Sequence, residues 1–326
     1  MARFLKRRTF LKASAAAPAV LALARAGGPA MAAANGYKKA LIVGKPTEKN
    51  LAAVKAAGFD GAETNAADVT PDEAEASRKA ADATGTRIHS VLRGWMKFNG
   101  SADEVAGSIA KVETGLAAAK GYGADAILLV PCRIGGKKMK VPDPWAFDIQ
   151  FDPATGHLKQ VVAGDNAPYA DYIAAHDHAT DTSREAIKRL IPTAEKTGVV
   201  IAVENVWNNL WVKPDVFANF VRSFDSKWVQ AYFDIGNHVK YAPPQDFIKA
   251  LGALIRKVHV KDFKLNPDGH GGKFVDIREG SVDYPAVMTC LDAAGYRGHG
   301  WMTIEGSGGL SDDEKSKRLD LIIAGK

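Results

Sequence analysis

Cysteine is nearly absent from this chain: its 326 residues include two, Cys132 and Cys290. Two thiols so far apart do not make a disulfide framework, and both are expected as unpaired small hydrophobes. No G-x-G-x-x-G follows the first β-type run, which argues against a dinucleotide-binding sheet. A surface charged with one sign is missing as well. The formal net charge of +6 is local, because Arg3, Lys6, Arg7, Arg8, Lys12 and Arg25 fall in the first 34 residues, where no acid occurs. Beyond them, basic and acidic residues balance at 37 each, so no nucleic-acid partner is expected. The chain also lacks a long unbroken apolar run at its start, since the Ala-rich stretch from Ala13 is interrupted by Pro18 and Arg25.

That N-terminus reads instead as a targeting segment. "KRRTFLK" (Lys6 to Lys12) is a basic region with a twin arginine, and the small residues of "AMAAAN" suit signal cleavage. The expectation is a twin-arginine-type signal over 1–34 and one domain over 35–326. The mature protein would be exported to the periplasm, with no stable membrane span after cleavage. Homo-oligomerisation is left open.

From residue 38 short β-type runs alternate with helix-length stretches rich in Ala, Lys and Glu. The expected strands are "KKALIVG" (38–44), "FDGAET" (59–64), "TRIHSVL" (86–92), "DAILLV" (125–130), "VVIAVEN" (199–205), "VQAYFDI" (229–235), "RKVHVKD" (256–262) and "GWMTIEG" (300–306). Helices are expected near 47–57, 71–83, 101–121, 182–197, 214–224, 244–253, 283–294 and 311–323. Several strands follow a Gly suited to ending the preceding helix, as in "ATGTRIHS" and "KTGVVIAVE". Eight such repeats in one domain predict an α/β fold, a (β/α)8 TIM barrel, with a doubly wound open sheet as the runner-up. One long insertion, 133–181, follows the fourth strand. Its Trp145, Phe147, Phe151 and Tyr169 make it too aromatic for a disordered linker, and "FDIQFDPATGHLKQVV" suits a hairpin. Following a strand's C-terminal end, it is expected as a lid over the catalytic face.

The last four strands each end in a metal-competent side chain: Glu204 in "VEN", Asp234 in "YFDIGNH", His259 in "KVHVKD" and Glu305 in "TIEG". Any one of them alone has an ordinary structural explanation, such as a salt bridge or a turn cap. A parallel barrel brings all four to one mouth, where three carboxylates would repel one another without a cation. This donor set suits one divalent ion, Mn²⁺, Co²⁺, Mg²⁺ or Zn²⁺, with Mn²⁺ favoured, over a thiolate-seeking metal.

The ordered set "AVEN", "YFDIGN", "HVKD", "FVDIREGSVDY" and "TIEG", with "RIHSVL" and "ILLVPC" before it, resembles the xylose-isomerase-like superfamily of sugar and sugar-phosphate isomerases and epimerases. It is most similar to the ketose 3-epimerase and L-ribulose-5-phosphate (L-xylulose-5-phosphate) 3-epimerase type. The resemblance implies that Glu204, Asp234, His259 and Glu305 bind one divalent metal and that Glu204 and Glu305 are the acid–base pair. Substrate contacts are expected from His89, Trp207, His238, Lys261 and Arg278. They are also expected from Asn237, which stands where some of these epimerases have a histidine.

Such a site fits a small-molecule sugar or glycoside. A cation would chelate the carbonyl and adjacent hydroxyl oxygens and stabilise an enediolate, while one Glu removes the proton and the other returns it. Export argues for an unphosphorylated substrate. Two alternatives stand beside epimerisation or isomerisation. One is a lyase that cleaves 3-keto-glycosides by elimination, and the other is a non-catalytic exported carbohydrate-binding protein.

Overall fold

The computed structural model describes residues 36–298 and 300–326; the expected signal segment lies outside the described residues. Local sequence sets the helix starts. Thr47, Thr70 and Ser101 each accept from the backbone three residues on, and Asn50, Glu73 and Glu104 reach back to the cap, so three helices begin in reciprocal capping boxes. Gly85, Gly123 and Gly198 end helices in the left-handed conformation and hand the chain to the next strand.

In chain order the elements are β1 (Lys38–Val43), α1 (Glu48–Ala56), β2 (Gly61–Thr64), α2 (Pro71–Thr84), β3 (Arg87–Trp95), α3 (Ala102–Tyr122) and β4 (Ala126–Val130). Then come β5 (Gln150–Phe151), β6 (Leu158–Gln160), α4 (Ala170–Thr197), β7 (Val200–Glu204), α5 (Pro214–Arg222), β8 (Val229–Asp234) and α6 (Pro244–Leu251). The chain finishes with β9 (Ile255–Val260), β10 (Asp262–Leu265), β11 (Gly272–Val275), α7 (Tyr284–Ala293), β12 (Trp301–Ile304) and α8 (Asp312–Ile323). Eight strands pair in parallel and close on themselves in the order β1-β12-β9-β8-β7-β4-β3-β2. This is the (β/α)8 barrel expected from the alternation, and all eight expected strands are in it.

The apolar core lies mainly between strands and helices. A small separate cluster, Leu128, Val130, Ala202 and Tyr232, fills the barrel interior. At the N-terminal end of the barrel, Lys257 is buried against Asp125 at 2.6 Å, and Lys39 pairs with Asp320 at 2.8 Å. Conserving charge by pairing is what allows those ammonium groups inside. The opposite end, where the strand-end carboxylates lie, is left for chemistry.

Two hairpins decorate that end. β5 and β6 form the one suggested by "FDIQFDPATGHLKQVV". It packs outward, with Leu158 N donating to Asp177 of α4 and Asn219 of α5 donating to Pro153 O. The excursion is also shorter than 133–181, because α4 begins at Ala170 rather than near 182. Its first turns bury Tyr172 and His176 under the loop, which gives a polar-looking stretch an inward face. Most of the excursion therefore buttresses the barrel flank. Its Trp145 stretch crosses toward the mouth, where the indole stacks on His270 at 4.4 Å. His270 belongs to the turn of the second hairpin, β10–β11, whose strands are not among those expected from the sequence.

Candidate metal centre and acid–base pair

Four side chains meet at the C-terminal mouth, each delivered by the strand that ends there. Ligand atoms of Glu204, Asp234, His259 and Glu305 all lie within 4.8 Å of one another. His259 Nδ1 is 3.0 Å from Glu305 Oε2, 3.4 Å from Glu204 Oε1 and 4.0 Å from Asp234 Oδ2. Yet His259 Nδ1, Asp234 Oδ2 and Glu305 Oε2 are buried without a hydrogen bond. Close approach without hydrogen-bond geometry is what lone pairs aimed at a shared point produce. Three hard oxygens and one imidazole nitrogen fit a divalent cation of the Mn²⁺, Mg²⁺, Co²⁺ or Zn²⁺ kind.

The surroundings aim each ligand. Asp234 Oδ1 accepts from the backbone N–H of Gly236 at 2.8 Å and of Asn237 at 2.6 Å, which leaves Oδ2 for the centre. Asn205 clamps the same strand end, accepting from Asp234 N at 2.7 Å and donating to Asp234 O at 2.8 Å. His259 Nε2 lies 2.6 Å from Glu63 Oε2, both side chains being fully buried. An ionised carboxylate can only accept, so Nε2 carries the proton and Nδ1 faces the carboxylates with its lone pair when a cation is bound. Ser90 Oγ donates to the other Glu63 oxygen at 2.9 Å.

Charges are finely opposed here. Burial raises the pKa of Glu204 and pushes Asp234 up to about 8. For Glu305 burial acts in the same direction, but His259 and Lys261 outweigh it and hold the carboxyl well below the usual range. Burial works against protonation of His259, yet Glu63 and Glu305 overcome it and raise that pKa well above the ordinary value.

Of the expected substrate residues, two stand at the cluster. Lys261 Nζ is 3.1 Å from Glu305 Oε2 and donates to Asn237 Oδ1 at 3.2 Å, and Asn237 Nδ2 reaches Glu204 Oε1 at 3.4 Å. Trp207 lies at the rim: its indole N–H donates to Asn237 O, and the Lys240 ammonium rests 3.4 Å from its ring centroid. Arg278 is exposed, on a backbone turn with φ 71° that Asp262 holds by accepting from the N–H groups of Arg278, Gly280 and Val282.

Two histidines are elsewhere. His89 is enclosed in the barrel, stacked on Trp301 at 4.4 Å with Nε2 2.9 Å from Thr303 Oγ1. His238 turns into the layer between strand and helix, with Nε2 3.0 Å from Val206 O and its ring against Tyr241 and Phe247. The turn after β8 decides this: with Asp234 gripping the N–H of residues 236 and 237, Asn237 points in and His238 points out. Sequence reasoning missed Glu63 and the clamp by Asn205. The signal for Glu63 was present, since "FDGAET" also runs a strand into a carboxylate.

The family described as Xylose isomerase-like TIM barrel matches residues 51–319. An uncharacterized protein of Methanocaldococcus jannaschii is 28% identical over 145 residues, 43% of this chain and 47% of the relative. The matched region thus spans about half the length of that curated relative. Among solved structures, a D-tagatose 3-epimerase-like protein is similar with a TM-score of 0.64 at 17% identity, over 87% of this chain and 96% of its own. A 3-keto-D-glucoside 4-epimerase from E. coli gives 0.60 at 17% identity, over 87% and 97%. The IOLI protein with a binding zinc atom gives 0.64 at 14%, over 88% and 97%. At such identities these are likenesses of fold.

Proposed function

The chain belongs to the xylose isomerase-like TIM barrel family, and from that premise we propose that it is a divalent-metal-dependent sugar epimerase or isomerase. It would move a proton at the carbon beside a carbonyl. The observation that carries this reading is the convergence of Glu204 and Glu305 on one imidazole nitrogen from strands that are not neighbours, β8 and β9 lying between β7 and β12. Two carboxyls arriving from separated strands can address a bound sugar from different sides, which inversion of a carbon requires.

A cation held by Glu204, Asp234, His259 and Glu305 would supply Lewis-acid polarisation of the substrate carbonyl. Glu305, held ionised by His259 and Lys261, takes the proton from the carbon for one epimer. Glu204, whose pKa is raised by burial, returns a proton for that direction, and the roles exchange for the reverse reaction. Asn237 holds the Glu204 carboxyl in place, and the Lys261 ammonium faces the region where negative charge builds on oxygen. Glu63 fixes the His259 ring. Of two proteins with the same fold, one is named a 3-keto-D-glucoside 4-epimerase and the other a D-tagatose 3-epimerase-like protein, which agrees with this reading. Export through the twin-arginine segment expected over 1–34 would favour a free sugar, sugar acid or glycoside.

The test is product analysis. Mn²⁺-loaded protein is incubated with free ketoses and 3-keto-glycosides, and the products are resolved by NMR. An epimer or isomer is expected, with turnover falling about 10²–10⁴-fold in Glu204→Gln and Glu305→Gln. An unsaturated product with a released leaving group would replace the isomerase reading by the lyase. Sugar binding without any product would leave a carbohydrate-binding protein.

A further inference from the structure

Trp95 is exposed to 46%, more than the other exposed large hydrophobic side chains Trp145, Phe274 and Leu321, although it ends a barrel strand. Its direction is set by an irregularity. Leu92 pairs with Leu128 and Gly94 with Leu129, so one residue, Arg93, is skipped before Trp95 pairs with Val130. Register partners in a parallel pair share a face of the sheet. Val130 lies in the interior cluster with Tyr232, whose ring is 4.4 Å from that of His259. Trp95 therefore stands on the inner side of the mouth. Without the extra residue the alternation from Leu92 would turn position 95 outward, where Arg93 already points toward Asp68. Gly94 supplies the required φ of 75°. Beyond it the chain returns to β4, with Met96 N donating to Val130 O at 2.8 Å and Phe98 N donating to Pro131 O at 3.1 Å. Both of those side chains are buried, which leaves Trp95 the exposed aromatic of this stretch. The Arg133 guanidinium lies 4.2 Å from its ring centroid and braces one face.

A bulge that re-aims a large apolar ring into an open mouth, without burying it, leaves a surface for another flat ring. We propose that Trp95, braced by Arg133, is the stacking platform for the ring beyond the reacting sugar, and that the substrate is a glycoside rather than a monosaccharide. This rests on the sugar-site reading above. β3, which carries Trp95, neighbours only β4 and β2 and none of the strands that deliver the four carboxylate and imidazole ligands, so a second ring is what extends from that cluster toward the indole. The outer ring is either a second sugar or an aryl group, since the shared chemistry is a flat face joined through a glycosidic bond.

The experiment is calorimetric titration of the Mn²⁺-loaded protein with methyl glucoside, cellobiose and phenyl glucoside. The expected result is that one or both two-ring ligands bind about three- to tenfold more tightly than methyl glucoside. Trp95→Ala abolishes that preference, and Trp95→Phe keeps most of it. A gain for cellobiose alone names a sugar as the outer ring, and a gain for phenyl glucoside alone names an aryl group. Equal affinity for all three, a preference that survives Trp95→Ala, or no binding of any of them overturns the platform. The isomerase reading is judged separately by the product analysis, which does not involve Trp95.

Discussion

Replacing Glu63 by Gln should weaken metal binding without disturbing the barrel. The two side chains are fully buried and 2.6 Å apart, and Glu63 is the partner of His259 Nε2. The amide keeps the shape and can still accept from Nε2 while its other end meets Ser90, so the ring stays in place. What is lost is the negative charge that makes Nδ1 a better donor to a cation. Loss of such a partner typically costs about 10–100-fold in metal affinity, equivalent to about 1.4–2.8 kcal/mol. Competition for Mn²⁺ and Zn²⁺ against a chelator of known affinity reads this directly, with the melting temperature of the metal-free proteins as the control for folding. Affinity within twofold of the parent, in a variant that melts normally, would refute the assignment of Glu63 as the residue whose charge strengthens the Nδ1 donor.

Divalent metal should stabilise the protein, by about 2.7 kcal/mol at a free concentration 100 times the dissociation constant, and Asp234→Asn should remove most of that gain in a thermal melt. Lys261→Met takes a competing positive charge from beside Glu305, so metal affinity should rise, by about tenfold, while turnover falls; weaker metal binding would count against it. Asp262→Ala strands the backbone N–H groups of Arg278, Gly280 and Val282; about 2–4 kcal/mol of stability should be lost, with new protease cleavage within 276–282. Burial pushes Asp234 from 3.8 up to about 8 in the metal-free protein, so the folded state retains a proton that the unfolded chain has released. Its contribution to stability therefore falls as pH rises across that window, and denaturant titrations should show a flatter pH dependence in Asp234→Asn than in the parent.

The barrel was legible because β-type runs alternate with helix-length stretches and several of those runs follow a Gly, and Gly85, Gly123 and Gly198 do end helices as left-handed caps. The strand-end acids and His259 were legible for the same reason: once strands are placed, parallel closure brings their ends together. What lay beyond sequence reasoning depends on single-residue geometry. Whether residue 237 or 238 faces the cluster is settled by which N–H groups Asp234 collects, and Trp95 faces inward because of one unpaired residue in β3. The first turns of α4 were hidden because "ADYIAAHDHATD" carries too few apolar residues to show a helical period, while Tyr172, His176, Ala179 and Thr180 fill its inner face. The β10–β11 hairpin had a signal that went unused, two short β-type runs around "NPDGHGG".

The central claim is that Glu204 and Glu305 move a proton at the carbon beside a carbonyl. Deuterium wash-in tests it most directly: Mn²⁺-loaded protein in D₂O with a panel of ketoses and 3-keto-glycosides, followed by NMR. The account predicts deuterium at the carbon beside the carbonyl in recovered substrate or product, suppressed in Glu204→Gln and Glu305→Gln. Tight sugar binding with no exchange across the panel, or exchange that persists in both variants, would contradict it.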